Sequence, residues 1–147
     1  MRLALPAAIT AGVLIAVQTV IVGAFGARLH PFVASTWVHV GGLAFGVVGI
    51  LVARASFEVE AVRRAPWGLL AGVAGVLLVT AIAVAVGGMG LASTLAMVTA
   101  TQLMAGFVIE SSGVLGDRVA LDPVRLVGAA LIVAGVYLVV SRGPAAG

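Results

Sequence analysis

The stretch Leu91–Gly113, LASTLAMVTATQLMAGFVIESSG, limits what this chain can fold into more than any other. It is apolar enough and long enough to cross a bilayer, which takes about 20 residues at about 1.5 Å of rise each. Yet it carries Ser93, Thr94, Thr99, Thr101, Gln102 and Glu110. Polar side chains in hydrocarbon cost free energy unless they are paired, so a span that met only lipid would not hold them. Thr99, Gln102, Gly106 and Glu110 step by three or four residues and form one stripe on a helix, polar at three places with a gap at the glycine. Such a stripe must face protein or a water-filled cavity.

Composition gives the setting for that span. Hydrophobic residues make up 63% of the chain and charged residues 9%, against roughly 25% charged in a globular domain. These values describe an integral membrane protein. The 147 residues leave room for about five crossings with short loops. The expected fold is therefore all-α and polytopic, a single transmembrane domain over 1–147 with spans near 4–26, 32–53, 66–86, 91–113 and 123–140. Function must then reside in the spans. The eight basic residues are all arginines, placed singly or in pairs in the connections, which argues for setting orientation and against binding nucleic acid. Without cysteine there is no disulfide, thiolate metal site or thiol nucleophile. There is also no histidine pair at metal spacing, no glycine-serine nucleophile turn and no phosphate loop, so the reading is a non-enzyme without metal or cofactor.

Along the chain, each span has a few informative residues. Gln18 lies near the middle of the first, where it serves either as helix-to-helix glue or as a substrate contact. Pro31 opens the second, which carries Trp37 and His39 early. Trp37 suits an interfacial belt or a ligand-stacking ring, and His39 a packing position or a titrating one. Gly42-x-x-x-Gly46 in the second span, Gly72 and Gly75 in the third and Gly106 in the fourth allow close helix approach. Gly87-Gly88-Met89-Gly90 reads as a tight turn, and Asp122-Pro123 as the capped start of the last helix. The polar connection Arg54–Arg64 has a topological role. Arg2, Arg54, Arg63, Arg64, Arg118 and Arg125 fall on one side against Arg28 and Arg142 on the other, which predicts a cytoplasmic N-terminus and an external C-terminus.

Glu110 is the one acid placed inside a span. Carboxylates at mid-span cost roughly 2.5 to 3.5 kcal/mol on insertion scales and are functional candidates by default. In an occluded cavity it would exchange a proton for a cationic or polar substrate. At the headgroup level it would instead pair with Arg118 or Arg125.

Taken together, Gln18, the Pro66-Trp67 entry followed by Gly72-x-x-Gly75, the triplet Thr101-Gln102-Leu103, and Glu110 with Gly113 and Gly116 behind it resemble the YdcZ-type branch of the drug/metabolite transporter superfamily. Members are similar five-span bacterial inner-membrane proteins of about this length. They carry Gly-Gln-Leu in place of Thr101-Gln102-Leu103, an aspartate in place of Glu110 and an asparagine about where Val22 stands. The resemblance implies half of an inverted-repeat transporter for a small molecule, and alternating access then needs a second half. The odd number of spans and the lack of an internal repeat place that half in another chain, a second copy or a paralogue in inverted orientation. The pathway would be lined by Gln102, Thr99 and Glu110, with Gln18, His39 and Trp37 facing them. The rival readings are a non-transporting membrane scaffold and a lipid-carrier flippase.

Overall fold

The computed structural model describes residues 3–114 and 122–141. Their backbone forms α1 (Ala4–Gly26), α2 (Pro31–Ala53), a short α3 (Val59–Arg64), a 3-10 turn (Pro66–Leu69), α4 (Leu70–Met89), α5 (Leu91–Ser112) and α6 (Pro123–Ser141), with no strand among the described residues. Five helical segments, counting the 3-10 turn with α4, are long and apolar enough to cross a membrane, at 19 to 24 residues each. Helices are the outcome that hydrocarbon enforces, because each peptide group must find its hydrogen bond within the segment.

The ends of these helices follow local chemistry. His30 accepts from the Phe32 N–H ahead of α2, with Pro31 at the first helical position. α2 stops at Arg54, a left-handed residue at φ 50°, where the Arg54 N–H reaches the Leu51 carbonyl and the Ala55 N–H reaches the Ile50 carbonyl at 3.1 Å. That is a Schellman closure made without glycine. The polar connection after it holds a helical turn that periodicity did not anticipate, α3, with Glu60 and Arg64 paired at 3.2 Å across one turn. Asp122 caps α6 as expected, its carboxylate accepting from Val124 N at 2.9 Å.

One expected turn is shorter than its glycines suggest. Gly87, Gly88 and Met89 remain helical, and the break between α4 and α5 falls on Gly90 alone, at φ 78° and ψ 169°. Glycine weakens a helix in water by about 1 kcal/mol relative to alanine, but an unpaired peptide group in hydrocarbon costs more, so the helix runs on to a single residue that breaks it.

The chain divides into two compact units, one before Gly88 and one from Gly88 onward. In the first, Val22 of α1 and Val79, Ile82 and Ala83 of α4 form a buried cluster, with Val38 of α2 and Val86 packed on it. α1 approaches α4 closely because Gly23 and Gly26 carry no side chain. A Cβ on Gly23 would stand 2.6 Å from Val86 Cγ1, and one on Gly26 would stand 3.0 Å from Ala83 Cβ. α2 joins α4 through a hydrogen bond. The fully buried Ser35 donates its hydroxyl to the Val76 carbonyl at 2.9 Å, and the same carbonyl accepts from Thr80 Oγ1 at 2.7 Å. In the second unit α5 packs along α6 beside an apolar hollow of about 480 Å³, lined by Met97, Ala100, Thr101 and Met104 from α5 and by Val133, Val136, Tyr137, Val140 and Ser141 from α6.

Candidate functional site

Within the first unit, α1 and α2 bring Gln18 and Trp37 into one groove of about 510 Å³, whose other walls are Leu14, Val17, Ile21, Phe25, Val38 and Gly41. The indole is 60% exposed and stands at the groove edge. The Gln18 amide is also exposed and forms no side-chain hydrogen bond among the described residues, whereas its neighbour Thr19 is buried and donates to the Ile15 carbonyl at 2.7 Å. A hydroxyl can satisfy itself on its own helix; a primary amide, with two donors and a carbonyl, needs a partner from outside.

His39 is placed apart from that groove. Two residues beyond Trp37, its ring reaches Gly75 of α4, while Nδ1 donates to the Ser35 carbonyl one turn earlier on its own helix at 2.8 Å. A carbonyl only accepts, so Nδ1 carries a hydrogen in this contact. Nε2 lies against Gly75, where an added Cβ would come within 2.9 Å. A side chain at Gly75 would therefore have to push the imidazole aside. We expect Gly75→Ala to displace the ring and break its bond to Ser35. The His39 Nδ1 signal in nitrogen NMR of the labelled protein would report this, and an unchanged signal would mean that the ring does not press on Gly75.

Along α5, Thr99, Gln102 and Glu110 are exposed and Gly106 is half-buried. Thr101, one residue from Gln102, instead lines the α5–α6 hollow and donates to the Met97 carbonyl at 2.9 Å. Gln102, like Gln18, makes no side-chain hydrogen bond among the described residues. The stripe therefore lies on a face of α5 that the hollow does not use, and its amide is open to a partner. At the end of the stripe Glu110 meets the first turn of α6. Its Oε2 lies 3.4 Å from Arg125 Nη1, with both side chains about half exposed, at 49% and 52%. Of the two arginines considered for it, Arg125 makes this contact, and Arg118 lies outside the described residues.

The glycines expected at helix contacts behave differently from one another. A Cβ on Gly42, Gly46, Gly72 or Gly106 would meet nothing within 4 Å among the described residues of its own unit, and only Gly75 of the five is closely covered. The close approaches that single-span patterns missed are those of Gly23 and Gly26. Their signal was present as an i, i+3 glycine pair at the end of the first span. Ser35 was missed as well, one turn before His39 on the same face.

A family model described as "Putative inner membrane exporter, YdcZ" matches residues 3–138. No curated protein and no solved structure matches the chain.

Proposed function

The chain belongs to this family of multi-pass inner-membrane exporters, and from that membership we propose that it carries a small molecule across the membrane as one half of an inverted-topology pair. The observation that carries the reading is the exposed Gln102 amide, with Thr99 beside it and no side-chain partner for the amide among the described residues. In hydrocarbon such a group is stable only against a partner chain, a substrate or water held in a cavity, and a transport pathway between two chains supplies all three. The Gln18–Trp37 groove supplies a second amide beside an aromatic face. Proton coupling is assigned to Glu110, and the open faces at Gly42, Gly46, Gly72 and Gly106 are assigned to the partner chain. The partner is a second copy of the chain or a paralogue of opposite orientation. The arginine distribution supports a cytoplasmic N-terminus.

Topology tests the pairing. Because the chain has no cysteine, single cysteines at Ala61 and, separately, at Ala145 can be labelled by an impermeant thiol reagent in intact cells expressing this chain alone. A homodimer of inverted halves predicts labelling of about half the molecules at each site. Labelling only at Ala145 fixes one orientation and requires a paralogous partner. Gln102→Leu in the same cells is expected to abolish export, and a scaffold would retain its activity.

A further inference from the structure

We propose that the connection between α2 and α4 is a headgroup site for an anionic phospholipid, with α3 lying in the membrane surface and Arg63 on the lipid phosphate. This site does not depend on the transport reading. α2 ends at Ala53 and the next span opens at Pro66, so both ends of the connection are fixed at one face of the bilayer. The few residues between them lie at the interface.

The side chains there are of the kind an interface selects. Phe57 is 72% exposed and Trp67 73%, and Val59 and Val62 are exposed as well. Bulky apolar groups left bare among arginines and glutamates find no shelter in their own connection, and the acyl boundary below the headgroups supplies it. Helical phase sorts α3 into two sides. Val62 and Arg63, three and four residues after Val59, share a side with it; Glu60 and Arg64 share the other, where they pair at 3.2 Å. Charge follows the same division. Glu60 is matched by Arg64, and Glu58 accepts from the Ser56 hydroxyl. Arg63 is exposed beside the two valines and has no acidic partner among the described residues. With the valines set into the acyl boundary, its guanidinium stands at the depth of the lipid phosphates, and its planar fork suits two phosphate oxygens. Arg54, the left-handed residue that ends α2, adds a second cation at the same face of the bilayer. A zwitterionic headgroup brings its own cation beside the phosphate, which these arginines disfavour, whereas phosphatidylglycerol brings the phosphate alone. Trp67, in the 3-10 turn that follows α3, marks the same level, since indole rings collect at the headgroups.

The test uses the full chain with Trp37→Phe, which leaves Trp67 as the one tryptophan, in vesicles of phosphatidylcholine and phosphatidylglycerol in equal parts. Each lipid is brominated in turn, and quenching of Trp67 fluorescence reports which of them is beside it. Brominated phosphatidylglycerol is expected to quench more strongly. Arg63→Gln is expected to lower that preference about fivefold, the usual effect of one arginine at an anionic surface, and Arg63→Lys, which keeps the charge, to retain most of it. Arg64→Gln is the control that separates a site from overall charge. It removes the same charge from a residue already paired with Glu60, and should lower the preference far less. Three outcomes overturn the site: no preference for phosphatidylglycerol in the parent chain, no change with Arg63→Gln, or equal losses with Arg63→Gln and Arg64→Gln, which would leave only the attraction of a basic loop for an anionic surface. Quenching by neither lipid would put Trp67 outside the bilayer and overturn it too.

Discussion

Gly26→Leu is expected to unseat α1 from α4 and to cost on the order of 1–3 kcal/mol of stability, the range for forcing extra atoms into a packed contact. The reason lies in what a side chain there would strike. The nearest atoms to a Cβ on Gly26 are Ala83 Cβ at 3.0 Å and then the Ala83 Cα and carbonyl oxygen at 3.5 Å, so behind the first methyl stands the α4 backbone itself. Backbone in a helix cannot step aside without breaking its own ladder. One turn earlier, Gly23 meets Val86 Cγ1 at 2.6 Å, and a β-branched residue in a helix has one strongly preferred rotamer with which to yield. The contact also borders the buried cluster of Val22, Val79, Ile82 and Ala83, so separating the two helices opens the core of this unit. Gly42→Leu is the matched control. The same atoms are added to a glycine whose side-chain position is empty to 4 Å, and the expected change in fold stability is within about 0.5 kcal/mol. Unfolding by a rising mole fraction of SDS, followed by loss of helicity, measures both. Equal stability of Gly26→Leu and Gly42→Leu would mean that α1 does not lie on α4 as described.

The contrast between those glycines shows how far one sequence can be read. The spans were legible because hydrocarbon leaves few choices: a run of apolar residues of the right length becomes a helix, and α1, α2, α5 and α6 start and stop within one residue of the expected limits. Asp122 and Pro31 were legible for the same reason, since a cap or a proline acts on its own backbone. Glycine spacing is another matter. It says that something approaches a helix, without saying which helix, and so Gly42 and Gly46 drew attention while Gly23 and Gly26 make the contact inside the chain. The meeting of Gln18 with Trp37 was hidden for the same reason, because it depends on how α1 and α2 are rotated about their own axes. Residue type alone sets His39 among the pathway residues, and its place against Gly75 is a property of the α2–α4 crossing. Residue type does not choose between Arg118 and Arg125 as the partner of Glu110, and fifteen residues of sequence separate it from the one that it meets.

Replacing Glu110 by glutamine is expected to lower proton-driven export by at least about a hundredfold, the smaller end of what a positioned proton-transfer group is worth, while leaving the helices in place. Glutamine has nearly the shape of the glutamate and can still accept a hydrogen bond from Arg125, so the α5–α6 contact keeps a weakened form. What it cannot do is take up and release a proton. If Glu110 couples the two fluxes, protonation cancels the charge that holds Arg125, and loss of the proton restores it. A glutamine stays in the neutral state throughout. Proteoliposomes with an imposed pH gradient should therefore show little uphill flux with Glu110→Gln. Glu110→Asp keeps the titrating group one methylene shorter and should retain measurable coupling. The comparison between these two variants decides the matter, because each perturbs the packing near Arg125 and only one removes the proton. Equal uphill flux from both would assign Glu110 a purely structural part beside Arg125, and the coupling group would then have to be sought elsewhere in the spans, where His39 is the next titratable side chain.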